Sequence, residues 1–183
     1  MNGDGISEFL ERIKNANENA DTLLGYEPSV GKMILYLSMA AACDCADAVD
    51  PDKAVESDIE VIGSVTEFAH ANLNKWSGKN LTFDKKPEFS EDEWLDTFVD
   101  AQGFLDDIIS AHVKTYGDTP EGKEKAFLEV SNILVYMISA ICARCDNPDI
   151  PRKFAEESIG KTYRFIREEC TRVPKNVLED GKQ

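Results

Sequence analysis

Four cysteines, Cys43, Cys45, Cys142 and Cys145, stand in two close pairs, and four convergent thiolates are what a structural zinc ion takes. Cys142 and Cys145, three residues apart, share a helical face, whereas Cys43 and Cys45, two apart, point to roughly opposite sides of one. A tetrahedral site would require the helix to unwind at Cys43. These thiols are therefore expected to act as small core hydrophobes, and neither a metal nor another cofactor is expected.

The carboxylates are the second candidate. Asp44, Asp47, Asp50 and Asp52, with Asp146 and Asp149 further on, carry the oxygens that Mg²⁺ or Ca²⁺ prefers, and Glu91 with Asp92 opens another acidic cluster. None of these runs has the glycine and the glutamate that an EF-hand loop needs at its sixth and twelfth positions. Aspartate just before a helix is selected by capping and by the helix dipole without any ligand. These eight residues are read as helix-end carboxylates that also form acidic patches able to meet a partner.

Other constellations fall short of chemistry. Glu67 and His70 have the spacing used by di-iron helical bundles, yet no second such pair exists, since His112 follows Ile109. The stretch from Gly25 to Met33 superficially resembles a phosphate loop. It has five residues between its glycines, a methionine where Mg²⁺ needs a hydroxyl, and no preceding strand. No serine, cysteine or histidine sits in a recognisable nucleophile signature, so no catalytic residue is assigned.

The elements that would position these groups are helical throughout. Apolar residues recur at helical spacing over residues 6–24, with Gly25 as a stop. From Ser29 to Ala46 the sequence is apolar nearly all round, and such a helix must be central. Asp50 and Pro51 read as a cap and first residue of a third helix, ending before Ser77. Ser90 and Glu93 form a capping box opening a fourth helix that runs to about Tyr116. Thr119 and Pro120 open a fifth, apolar on most faces from Phe127 to Cys145 and therefore also central. A sixth follows the turn that runs from Asp146 to Pro151. No segment alternates with the period of a strand, so the chain is expected to be an all-α, six-helix bundle with essentially no sheet.

The pattern is also doubled. Residues 34–43 lie over 133–142 without a gap, Asp47 and Asp50 fall on Asp146 and Asp149, and after a one-residue gap Pro51, Lys53, Glu56 and Ile59 fall on Pro151, Lys153, Glu156 and Ile159. This predicts two three-helix repeats, about 6–76 and about 90–173, related by a pseudo-twofold axis, with 77–89 as a flexible connection and 174–183 as a frayed tail. Cys43 and Cys142 are then expected in matching environments. A chain of 183 residues is expected to form one domain. Trp76, Phe83, Phe89 and Trp94 flank the connection and either close the core or anchor an interface.

Composition narrows the function classes. A net charge of −15 repels phosphate backbones, so direct nucleic-acid binding is not expected. No uninterrupted apolar run reaches the roughly 20 residues of a membrane span, and the N-terminus has no leader pattern, so a cytoplasmic protein is expected. The expected function is that of an acidic, non-enzymatic protein-binding module, an inhibitor or immunity-type protein that occludes a basic or nucleic-acid-binding surface. The alternative is an enzyme or a small-ligand or metal sensor using Asp47 and Asp146 between the repeats. A structural homodimer is the third reading.

Overall fold

The computed structural model describes residues 3–27, 29–72, 80–83 and 85–172. It contains six helices, α1 (Gly3–Leu24), α2 (Val30–Ala46), α3 (Pro51–Ala71), α4 (Glu91–Tyr116), α5 (Pro120–Ala143) and α6 (Asp149–Arg172), and no strand among the described residues. Trp76 and the tail beyond Arg172 lie outside them.

Local chemistry sets most helix starts. Ser29 Oγ accepts the Lys32 N–H at the head of α2, and Asp50 Oδ1 accepts the Lys53 N–H at the head of α3. At α4 the capping box is complete: Ser90 Oγ accepts the Glu93 N–H (3.2 Å), and Glu93 Oε2 accepts the Ser90 N–H (2.8 Å). Thr119 Oγ1 caps α5 through the Gly122 N–H. Each cap satisfies a donor the helix cannot and stabilises it by ~1 kcal/mol. Asp149 departs from the expected pattern. It is the first residue inside α6; Pro148 supplies the first carbonyl, and Asn147 Oδ1 accepts the Asp149 N–H.

Fourteen of the 17 residues of α2 are buried, which matches its lack of a polar face. It packs chiefly on α6, α4 and α5, while α5 packs on α3, α1, α2 and α4. Ile34, Leu37 and Met39 are fully enclosed, each contributing roughly 1.5–3 kcal/mol of transfer free energy. Helix α5 is central only in its second half. Burial is nearly continuous from Leu134 to Ala143, but Phe127 is partly exposed and Leu128 is 60% exposed. By length and composition α5 could cross a membrane; 61% of that apolar stretch lies inside the bundle.

The described part of the expected flexible connection is packed. The Leu81 N–H donates to Arg144 O (2.8 Å), Phe83 is buried against Phe154, and Pro87 rests on Gly31 of α2. Trp94 is buried too, stacked on Phe98 with the Phe165 ring edge-on, so among the flanking aromatics Phe83 and Trp94 belong to the core. A Cβ at position 31 would stand 2.7 Å from Pro87 Cγ, a ring atom with little freedom to move. Gly31→Ala is expected to destabilise the fold by about 1–3 kcal/mol. Gly103→Ala, where a Cβ meets nothing within 4 Å, is expected to stabilise α4 by up to about 1 kcal/mol. Urea midpoints of the two variants check this, and shifts of the same sign would show that Pro87 does not hold that position.

Candidate functional site

The eight sequence-predicted carboxylates do not form one site. Asp50 caps α3 and Asp47 closes α2, both exposed. Asp52, in the first turn of α3, accepts the Tyr163 hydroxyl (2.7 Å) and pairs with Arg167 (2.9 Å), joining α3 to α6. Asp149 pairs with Arg152, and Asp146, Glu91 and Asp92 are exposed. Asp47 and Asp146 do not converge. Asp44, one turn from Asp47, has Ser131 as its neighbour on α5, and Asp146 lies 15 residues further along the chain, roughly 20 Å at the helical rise.

Asp44 is the exception to surface exposure. It is 8% exposed, as is Asp58 on α3, and the two face each other. The Cys45 thiol donates to Asp58 Oδ2 (3.2 Å), and the Ser131 side chain lies against both carboxylates; Asp44 Oδ1 has no partner. Burial, then the Asp58 charge, pushes Asp44 up to about 7, with Asp47 adding to the rise against the opposing Ser131 hydrogen bond. Burial raises Asp58 to about 6 against the opposing hydrogen bonds of Cys45 and Ser131. Carboxyl groups so raised suit general acid–base work, but five surface clefts are lined by neither of them. The pair holds its protons to higher pH than exposed carboxylates do.

The cysteine pairs are likewise apart. Cys45 sits with Asp58 and Asp44, whereas Cys142 and Cys145 sit near each other at the far end of α5, with Arg152 and Glu156 beside Cys142. All four are buried free thiols. Burial first, then nearby carboxylates, holds Cys43 and Cys145 up at about 12, which keeps both protonated and unreactive. No group of three or more histidine, cysteine or acidic side chains suited to a metal occurs among the described residues. His70 has a structural task. Its Nδ1 lies 2.8 Å from Ala143 O, and since a carbonyl only accepts, Nδ1 carries the proton and caps the end of α5. His112 bonds within its own helix, to Ile108 O.

The largest concentration of exposed negative charge lies on α4. Glu91, Asp92, Glu93, Asp96, Asp100, Asp106 and Asp107 are all exposed, against the single lysine Lys114. None of these carboxylates forms an ion pair among the described residues. At about 100° per residue, Asp92, Asp96, Asp100 and Asp107 fall within roughly 80° of arc, a stripe opposite the Trp94, Phe98, Ala101 and Leu105 face that enters the core. Val99, 64% exposed, and Leu95, 36% exposed, run along its edge. Sequence reading, with an acidic cluster running from Glu91 to Asp96, reached Asp92 and Asp96 of this stripe and missed Asp100 and Asp107 as members of it. A helical wheel of the fourth helix carries the signal.

Comparison with protein-family models, with curated proteins and with solved structures found no match to this chain.

The buried pair makes stability depend on pH. The folded chain keeps protons on Asp44 and Asp58 that the unfolded chain releases near the ordinary value of 3.8. Their stabilising effect is therefore complete below about pH 4 and is lost as pH rises through about 6 to 7. Asp44→Asn with Asp58→Asn is expected to flatten that slope and raise the urea midpoint at pH 8. An unchanged slope in the double variant would assign the pH dependence to general charge repulsion.

Proposed function

We propose that this is a non-enzymatic binding module of the cytoplasm that sets the acidic face of α4 against a basic surface of another protein and occludes it, as an inhibitor or immunity-type protein does. The single observation that carries the reading is the unpaired carboxylate stripe with Val99 and Leu95 beside it. Like charges one turn apart cost a helix about 0.2–0.5 kcal/mol per pair, and that cost is offset when a cationic surface arrives. Long-range attraction from a chain at −15 speeds the encounter, and the two exposed apolar side chains supply contact area after it. Asp47, Asp50 and Asp146 add to the field without belonging to the stripe. Asp44 faces inward and contributes no contact surface.

We further propose that the fold is doubled, each three-helix unit lending its central helix to the flanking helices of the other. Two observations support this. Helix α2 packs on α4 and α6 while α5 packs on α1 and α3, although α5 also packs on α4 where α2 barely meets α1. Asp52 meets Tyr163, and Gly63 meets Arg152, a pair shifted by the same 100 positions in opposite directions. The halves differ at their ends: Cys43 has Asp47 and Asp106 nearby, where Cys142 has Cys145 and Arg152.

The test of function is affinity capture from the native host with mass spectrometry, repeated with Asp92, Asp96, Asp100 and Asp107 all changed to Asn. The wild-type chain is expected to retain a basic partner with salt-sensitive affinity, and the variant to bind at least ten-fold more weakly with a shallower salt dependence. Removing the like-charge pairs should leave the variant as stable as the parent or more so, which separates lost binding from unfolding. Equal retention of the partner by both chains would refute the role of α4.

A further inference from the structure

One cleft breaks with the charge of the rest of the surface. It lies between α6, the first turns of α4 and residues 85–90, and encloses about 640 Å³, within the ~300–1,000 Å³ typical of small-molecule sites. Its apolar wall is formed by Pro87, Phe89, Trp94 and Phe154. Five charged side chains line it: Lys86, Glu156, Glu157, Lys161 and Arg164. Both carboxylates are already engaged, Glu157 by Lys86 and Glu156 by Arg152 at 2.7 Å. The two remaining cations, one turn apart on α6, have no carboxylate partner among the described residues, and Lys161 lies over the Trp94 ring at 4.9 Å from its centroid.

Other lysines of the surface, such as Lys14, Lys53 and Lys153, also lack an ion pair among the described residues; what sets Lys161 and Arg164 apart is that both line the same aromatic-walled cleft. Side by side on one helix they repel each other, and they stand beside aromatic surface that water solvates poorly. An anion bound between them removes the repulsion, and a flat body attached to it covers the rings. The adjoining hollow past Trp94 carries Glu91, which directs the charged end of such a ligand toward Arg164.

We propose that this cleft binds a small organic anion, with a planar aromatic body against Phe89, Trp94 and Phe154 and a sulfonate, carboxylate or phosphate held by Lys161 and Arg164. The site is separate from the acidic stripe, because Trp94 belongs to the opposite face of α4. Loss of either function therefore leaves the other measurable.

The experiment is a titration of the ¹⁵N-labelled full chain with 2-naphthalenesulfonate, followed by amide chemical shifts. Uncharged 2-naphthalenemethanol and inorganic phosphate serve as separate probes of body and charge. Saturable shifts confined to residues 85–94 and 154–165 are expected for the sulfonate, with at least ten-fold weaker binding of either control. Lys161→Gln with Arg164→Gln should weaken the sulfonate at least ten-fold while the rest of the spectrum stays in place, and the four-Asn variant of α4 should bind as the parent does. Equal binding of the uncharged probe, an unchanged double variant, shifts centred elsewhere, or no saturable binding of the sulfonate would each overturn the proposal.

Discussion

Helix α2 has almost no side on which water is acceptable, and that constraint organises the rest of the chain. An amphipathic helix needs one neighbour; a helix buried over 14 of 17 residues needs a complete jacket. One further helix in the same condition, the second half of α5, lets the two share a jacket, so four flanking helices enclose both. Ala40, Ala41, Ala42, Ser139 and Ala140 are all buried, and their small side chains leave room for close backbone approach where the central helices meet their neighbours. Because the buried stretches of the inner helices carry few charges, most of the acidic residues fall to α1, α3, α4, α6 and the turns. The acidic surface is thus partly a consequence of having so apolar a centre in a chain at −15.

A jacket of this kind also has to deal with helix ends that stop inside it. The last carbonyls of α5 cannot all reach solvent, and each needs a donor. His70 Nδ1 donates to Ala143 O and the Leu81 N–H to Arg144 O, while Arg144 itself, buried, reaches Asn17 and Asp21 on α1. Elements from both halves therefore meet at one helix terminus. Satisfaction is incomplete elsewhere: Asp44 Oδ1 has no partner, and neutralising the carboxylate is the least costly remedy in that environment. Burial accordingly raises the Asp44 carboxyl to about 7.

Much of this was legible from local sequence. The six helices, the Asp50 cap and the Ser90–Glu93 box depend on residues within one turn of each other, which is the range over which sequence pattern is reliable. What escaped was set by contacts across the fold. Asp44 reads as one more member of an acidic turn, and only the position of α3 and α5 reveals that it is enclosed. His70 reads as a stray histidine because its acceptor lies 73 residues away. Asp149 was expected to repeat Asp50, but Pro148 and Asn147 move the helix start forward. Phe83 and Leu81 sit in a stretch rich in turn residues, yet two aromatic and aliphatic side chains can anchor such a stretch when a helix end offers a free carbonyl.

The placement of cations follows from the same partition. Helix α6 covers α2 and is the richest of the six in Lys and Arg, yet it lies beside α3, whose Asp52 it neutralises through Arg167 and holds by a hydrogen bond from Tyr163. Arg152 does the same for Glu156 and Asp149 within α6. Once those pairs form, Lys161 and Arg164 remain over the aromatic cleft, and the carboxylates of α4 remain on the far side of that helix without cations. Around the first turns of α4 the unpaired charge therefore differs in sign on the two sides of the helix: negative where it faces solvent, positive where Lys161 and Arg164 of α6 border the cleft. Neither surplus is required by the core, since Trp94, Phe98 and Phe165 would pack equally well beneath neutral neighbours.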